Sequence, residues 1–139
     1  MSVEQNKAIA RRFFEVWNAN TPEALDTFLS ADYVTHSPLP GVSSDREGMK
    51  QWMSMVSTAF PGIQFSVDIQ IAEGNMVMTR WSAKGMHTAS FMGIPATNKM
   101  GHVTGNVLVR IVDGQTVESW GEWDAMGLMR QLGVVPSPV

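Results

Sequence analysis

Residues 102–124 read HVTGNVLVRIVDGQTVESWGEWD, two β-type runs on either side of Asp113-Gly114. Side chains of a strand alternate between faces, so the register of this pair decides which residues meet and which way they look. A two-residue turn at Asp113-Gly114 would set Arg110 beside Val117 and Val109 beside Glu118, mixing polar and apolar side chains on both faces. A three-residue turn, Val112-Asp113-Gly114 with the glycine left-handed, separates them. One face then carries His102, Thr104, Asn106, Leu108, Arg110, Glu118, Trp120, Glu122 and Asp124; the other carries Val103, Val107, Val109, Ile111, Val117 and Trp123. The first is expected to look into a cavity. The apolar second face is expected to pair with another subunit, because it cannot be left in water.

Working outward, Ile63, Phe65, Val67, Ile69 and Ile71 alternate strictly with polar residues, which predicts a strand with one apolar face. A turn at Glu73-Gly74-Asn75 returns the chain through a second strand, about Met76 to Gly85. Residues 86–100 read as a loop. Ahead of the strands, Ser2 with Gln5 makes a capping box for a helix to about Asn18, with Ile9, Phe13, Val16 and Trp17 at helical spacing. Thr21-Pro22 starts a short second helix, Tyr33 to His36 an extended piece, and Ser44 with Glu47 a third helix carrying Met49, Met53, Val56 and Phe60. A last short helix starts at about Ala125, and the tail is expected to fray after Pro136. Helices first and an antiparallel meander after them predict a single α+β domain, 1–139, with helices over the concave face of a curved sheet.

Composition narrows the partners. The chain has 139 residues, 44% hydrophobic and 17% charged, with a net charge of -3 and no Lys/Arg cluster, so neither nucleic acid nor an anionic membrane is an expected partner. Zero Cys and three His without ligand spacing predict no metal site. No signal peptide or membrane span is visible, and a cytoplasmic location is the expectation.

The acid/base candidate is Asp124, which follows Trp120 and Glu122 on one strand face. Indoles around a carboxylate in a half-dry pocket would raise its pKa toward useful basicity. Its structural alternative is plain: AspAlaMetGly starts a helix, and Asp is a favoured N-cap. His102 would lie opposite Asp124 in the chosen register, and His36, His87 or Asn106 could donate to a substrate oxygen. Phe13, Trp17, Met53, Phe60, Phe91, Met92 and Trp120 are candidate cavity walls, with ordinary core as the alternative. Glu122 reads as a partner for Arg80 or Arg110 and, with Leu108, completes the substrate-facing set.

The segments NKAIARRFFEVWN, DYVTHSPLPG, REGMKQWMSMVSTAFPG, GMHTASFMGIPATNK and VESWGEWDAMGLMRQLG together resemble the SnoaL-type polyketide cyclase family of the nuclear transport factor 2-like superfold. The resemblance implies a conical α+β barrel, dimeric or higher, that closes a polyketide ring by intramolecular aldol condensation without a cofactor. It assigns the acid/base role to Asp124. Leu108 and Arg110 stand where cyclases of the family carry polar Gln and His, which leaves two other readings open: an epoxide hydrolase or hydroxylation partner using the same cavity, or a binding module for apolar small molecules.

Overall fold

The structure is a computed structural model describing residues 2–135; the expected fraying after Pro136 falls outside them. Helix α1 (Val3–Ala19) opens on the expected capping box, Ser2 Oγ accepting from the Gln5 amide and Gln5 Oε1 from the Ser2 amide. Pro22–Thr27 winds as a 3₁₀ helix. Helix α2 (Arg46–Ala59) is capped by Asp45 and not by Ser44: the Asp45 carboxylate accepts from the Gly48 amide at 2.9 Å and from Ser43 Oγ at 2.7 Å. Gly48 allows this tight entry, because a Cβ there would overlap the Ser43 carbonyl. No helix among the described residues is long and apolar enough to cross a membrane.

The remaining elements are strands β1 (Leu29–Thr35), β2 (Gln64–Glu73), β3 (Met76–Met86), β4 (Met100–Val112) and β5 (Gln115–Trp123), then helix α3 (Ala125–Gln131). They form one five-stranded sheet in the order β1-β5-β4-β3-β2. Strands β2 to β5 are the expected meander. Strand β1, read from sequence only as an extended piece, pairs in parallel with β5 and sets Thr35 opposite Ser119. The sheet curves around the helices without closing, so the cone is open between edge strands β1 and β2.

Two bulges correct the sequence reading. At Asp68 the β2–β3 register shifts, so the strict alternation from Ile63 splits: Phe65 faces the helices, while Ile69 and Ile71 turn outward, 57% and 67% exposed. The inner place falls to Gln70, whose amide donates to the Lys7 carbonyl of α1 and to Thr79 Oγ1. These two bonds tie β2 to α1 and to β3 at a position where strict alternation would have set an apolar side chain. At the β4–β5 hairpin the loop is the two-residue Asp113-Gly114 turn, both at positive φ (49° and 78°), with Val112 paired to Gln115. A bulge at Val117 then pairs Arg110 with Glu118, Leu108 with Trp120 and Asn106 with Glu122, two residues away from the expected register. Thr104 and not His102 therefore meets Asp124, its carbonyl accepting from the Asp124 amide at 2.9 Å. The grouping into faces holds while the loop and the pairs differ, because one bulged residue and one extra loop residue change the parity of the ladder alike but shift it in opposite directions.

The faces are as grouped, but the inside and outside are exchanged. Val103, Val107, Val109, Ser119, Gly121 and Trp123 look toward the helices, and Leu108, Arg110, Glu118 and Trp120 look away from them. The reason is helix coverage. Helices α1 and α2 bring Phe14, Trp17, Met53 and Phe60 to the concave side, so the apolar strand face finds its cover within the chain. Leu25, Phe28, Leu29 and Met53 are essentially fully buried, each worth about 1.5–3 kcal/mol of transfer free energy. Across the convex side, register places Ile71, Met78, Leu108 and Trp120 in one row.

Candidate functional site

Between the helices and the concave face lies an apolar cavity enclosing about 150 Å³. Helix α1 contributes Phe13, Phe14 and Trp17, α2 contributes Met49, Trp52 and Val56, and the sheet contributes Phe65, Trp81, Val107 and Trp123; Phe60 and Phe91 complete the wall. The rings interlock, with Trp17–Phe65 centroids at 5.0 Å, Phe65–Trp81 at 5.4 Å and Phe60–Phe91 at 5.5 Å edge-on. Gly105 makes room for one of them, because the Trp81 ring occupies the place where a Cβ would stand.

The polar part of the lining comes from β1 and β5. Parallel pairing puts Tyr33 and Ser119 on one floor, their hydroxyls 2.6 Å apart and both residues at least 95% buried. Burial pushes the Tyr33 phenol above its ordinary pKa of 10.0, against the opposing pull of the Ser119 and Thr35 hydroxyls. Beside them, Thr35 Oγ1 accepts from the Ser37 amide at 3.2 Å, and Ser37 Oγ accepts from the Gly121 amide at 2.7 Å. Sequence reasoning missed Tyr33, Thr35 and Ser119. The available signal was a small polar pair, Ser119 and Gly121, at positions where an apolar strand face should carry bulk.

Phe13, Trp17, Phe60 and Phe91 line the cavity as anticipated, and exposed Asn106 and Glu122 also contribute to its lining. Met53 is wholly buried in the core, and Met92 is 43% exposed on its loop. His87, fully buried, lies behind the wall: its ring stacks on Phe60 at 5.1 Å and its Nδ1 accepts from the Thr97 amide at 3.2 Å.

The other candidates lie on the convex side. Arg110 Nε donates to Glu118 Oε1 at 2.6 Å, and His36 Nε2 meets Glu118 Oε2 at 2.8 Å. The His36 ring stacks on Trp120 at 4.8 Å. Its hydrogen bond with His36, then that from Arg110, holds the Glu118 carboxyl below the usual glutamate range. Leu108 pairs with Trp120 in that outer layer. His102 is exposed, and its backbone amide and carbonyl are clamped by the Gln131 side chain at 2.6 and 2.7 Å.

Asp124 is the largest correction to the expected geometry. In place of a half-dry floor, the structure gives it an exposed position at the β5–α3 junction, where Oδ1 accepts from the Gly127 amide at 2.9 Å as the N-cap. A Cβ at 127 would overlap that carboxylate. Its neighbours Trp123 and Leu128 both line the cavity, so Asp124 sits beside the cavity and not within it. Among the described residues no group of three or more acidic or histidine side chains is placed to hold a metal ion.

A curved open sheet wrapped on helices around one apolar cavity is the nuclear transport factor 2-like architecture. Within it, residues 7–132 match the model of the SnoaL-like polyketide cyclases, and the chain belongs to that family. Among solved structures, it is similar to TsrD from Streptomyces laurentii, with 26% identity, TM-score 0.88, and coverage of 97% of this chain and 99% of that one. IdmH from Streptomyces antibioticus, described as a candidate polyketide cyclase, is 30% identical with TM-score 0.82, covering 94% of this chain and 99% of its own. AclR from Streptomyces galilaeus, described as a candidate hydroxylase, is 28% identical with TM-score 0.88, covering 99% and 91%. No curated protein matches the chain.

Proposed function

We propose that the protein closes a ring in a polyketide-like substrate by cofactor-independent intramolecular aldol condensation, with Asp124 as the acid/base. The observation that carries this reading is the aromatic cavity with Asp124 standing between two of its lining residues, Trp123 and Leu128. Packed rings fold a flat, flexible carbon chain into reacting contact, which supplies the entropic part of the rate. The Asp124 carboxylate takes a proton from carbon between two carbonyls. That carbon bonds to a ketone carbon of the same molecule, and the protonated Asp124 returns its proton to the resulting alkoxide. The step is an isomerisation and consumes nothing.

Asp124→Asn tests it. The amide keeps an acceptor oxygen for the Gly127 amide, so α3 stays capped while the base is lost. Ring closure should fall by about 10²- to 10⁴-fold with unchanged circular dichroism; full activity in the variant refutes the assignment. Similarity to AclR supports a second reading, a hydroxylation partner in the same cavity. Product mass separates the two, since cyclisation adds no oxygen.

We also infer that the protein is a homodimer joined through the convex sheet face. Its support is the exposed row led by Ile71 and Met78, 67% and 38% exposed, flanked by the charges of Arg110 and Glu118. Light scattering of the wild type and of Ile71→Lys reads the outcome directly, as a dimer that the lysine dissociates.

A further inference from the structure

We propose that the Tyr33–Ser119 hydroxyl pair is the polar anchor of the cavity, donating a hydrogen bond to the carbonyl oxygen of an otherwise apolar ligand. The inference rests on the cavity being a ligand site, and does not depend on ring closure or on Asp124.

Proton counting carries it. Tyr33, Ser119 and Thr35 hold three hydroxyl protons; the 2.6 Å bond between Tyr33 and Ser119 uses one and the bond between Thr35 and Tyr33 another. For the third, the cluster offers only the Ser37 hydroxyl, 3.5 Å from Thr35 and at the limit of a hydrogen bond, although Tyr33 and Ser119 are at least 95% buried and both line the cavity. A buried donor without a good acceptor costs free energy, and an incoming acceptor recovers it. Thr35 and Ser37 each also accept a backbone amide and hold the chain after β1 against β5. The pair bridges neighbouring parallel strands, so each hydroxyl is fixed by a different strand, and the bond between them sets their direction.

The site also selects its ligand chemically. The cavity that the pair lines is walled mainly by apolar side chains, Phe28, Leu29, Trp52 and Val109 among them, and Lys84, which also lines it, bonds to neither hydroxyl. Desolvating a carboxylate there would be costly, whereas a ketone loses little on leaving water and regains a hydrogen bond. Size limits it further: an apolar cavity of about 150 Å³ accepts a benzene-sized ring. The ligand is therefore a neutral aryl ketone or a polyketide ring with its carbonyl directed at β1 and β5. From Ser119 the strand runs about 17 Å to Asp124, past Gly121 on the same inner face, so the remainder of a longer ligand has a path toward the carboxylate.

The test uses acetophenone and ethylbenzene, which share shape and differ in one carbonyl. Four of the five Trp, at 17, 52, 81 and 123, line the cavity, so intrinsic fluorescence reports binding. The wild type should bind acetophenone about tenfold more tightly than ethylbenzene, the worth of one buried hydrogen bond. Tyr33→Phe should abolish the difference while leaving ethylbenzene affinity within about twofold, and Ser119→Ala, a milder change to the packing, should reduce it. Equal preference for the ketone in the wild type and both folded variants overturns the anchor and leaves the cavity reading standing. Failure of both probes to bind the wild type overturns the anchor together with the cavity reading.

Discussion

The two faces of the β4–β5 pair come from the same 23 residues, 102–124, yet they have opposite chemistry. The convex face carries the groups that look catalytic in a sequence: His36 stacked on Trp120, Glu118 shared between His36 and Arg110, and His102 on the neighbouring strand. The concave face carries valines, a glycine, Trp123 and one serine, joined by a tyrosine from β1. The convex charges sit where water can solvate them, and the buried polar floor at β1 and β5 consists of hydroxyls, because burying an ionised side chain costs far more than burying an O–H with a partner. The difference teaches that the density of titratable residues on a strand is a poor guide to which side of the sheet holds the ligand.

Three measurements can break or sharpen that contrast. The largest effect belongs to the concave side: Phe60→Ala, at a residue 4% exposed and packed on Phe91 and His87, should cost about 3–5 kcal/mol in urea unfolding. The matching convex change, Ile71→Ala, should stay within about 0.5 kcal/mol for the monomer. Similar losses at the two sites would mean that the faces do not differ as described.

The second measurement is spectroscopic. Tyr33 is the only tyrosine in the chain, so phenolate absorbance titrates it alone. Burial raises the folded value above 10.0, and the unfolded chain therefore ionises first. Stability from this group is complete below pH 10.0 and is lost as pH rises from there through the folded pKa. A native titration midpoint at or below 10.0 would place the phenol in water and not on the cavity floor.

The smallest effect is on the outside. Glu118 has a folded pKa below 4.5, so its contribution is present above that pH and fades as pH falls through the folded value. Glu118→Gln should flatten the acid limb of the stability curve slightly and leave ligand binding in the cavity unchanged. An altered affinity for acetophenone in this variant would show that the two faces communicate.

Much of the architecture was legible from local pattern. The Ser2–Gln5 box, the α2 apolar stripe, the β3 and β5 limits and the grouping of β4–β5 side chains into two faces all follow from capping chemistry and periodicity, which act over a few residues. What failed did so for identifiable reasons. Asp68 and Val117 each insert one residue into a ladder, and a bulge leaves no periodic signature of its own. The capping alternative for Asp124 was legible, and the structure places the carboxylate there. Its relation to the cavity was not legible, because it depends on which side of the sheet the helices cover.

Chain order, approximate helix limits, the two face groupings of β4–β5 and the α+β class were therefore written into residues 2–135 by short-range physics: caps, turns and alternation. Tertiary structure alone decided which sheet face became the interior, and it assembled Tyr33 with Ser119 across 86 residues of chain. The physical reason is that alternation defines two faces but carries no sign. The sign is set when α1 and α2 bury their aromatic stripes, and only the parallel docking of β1 on β5 brings the two hydroxyls together.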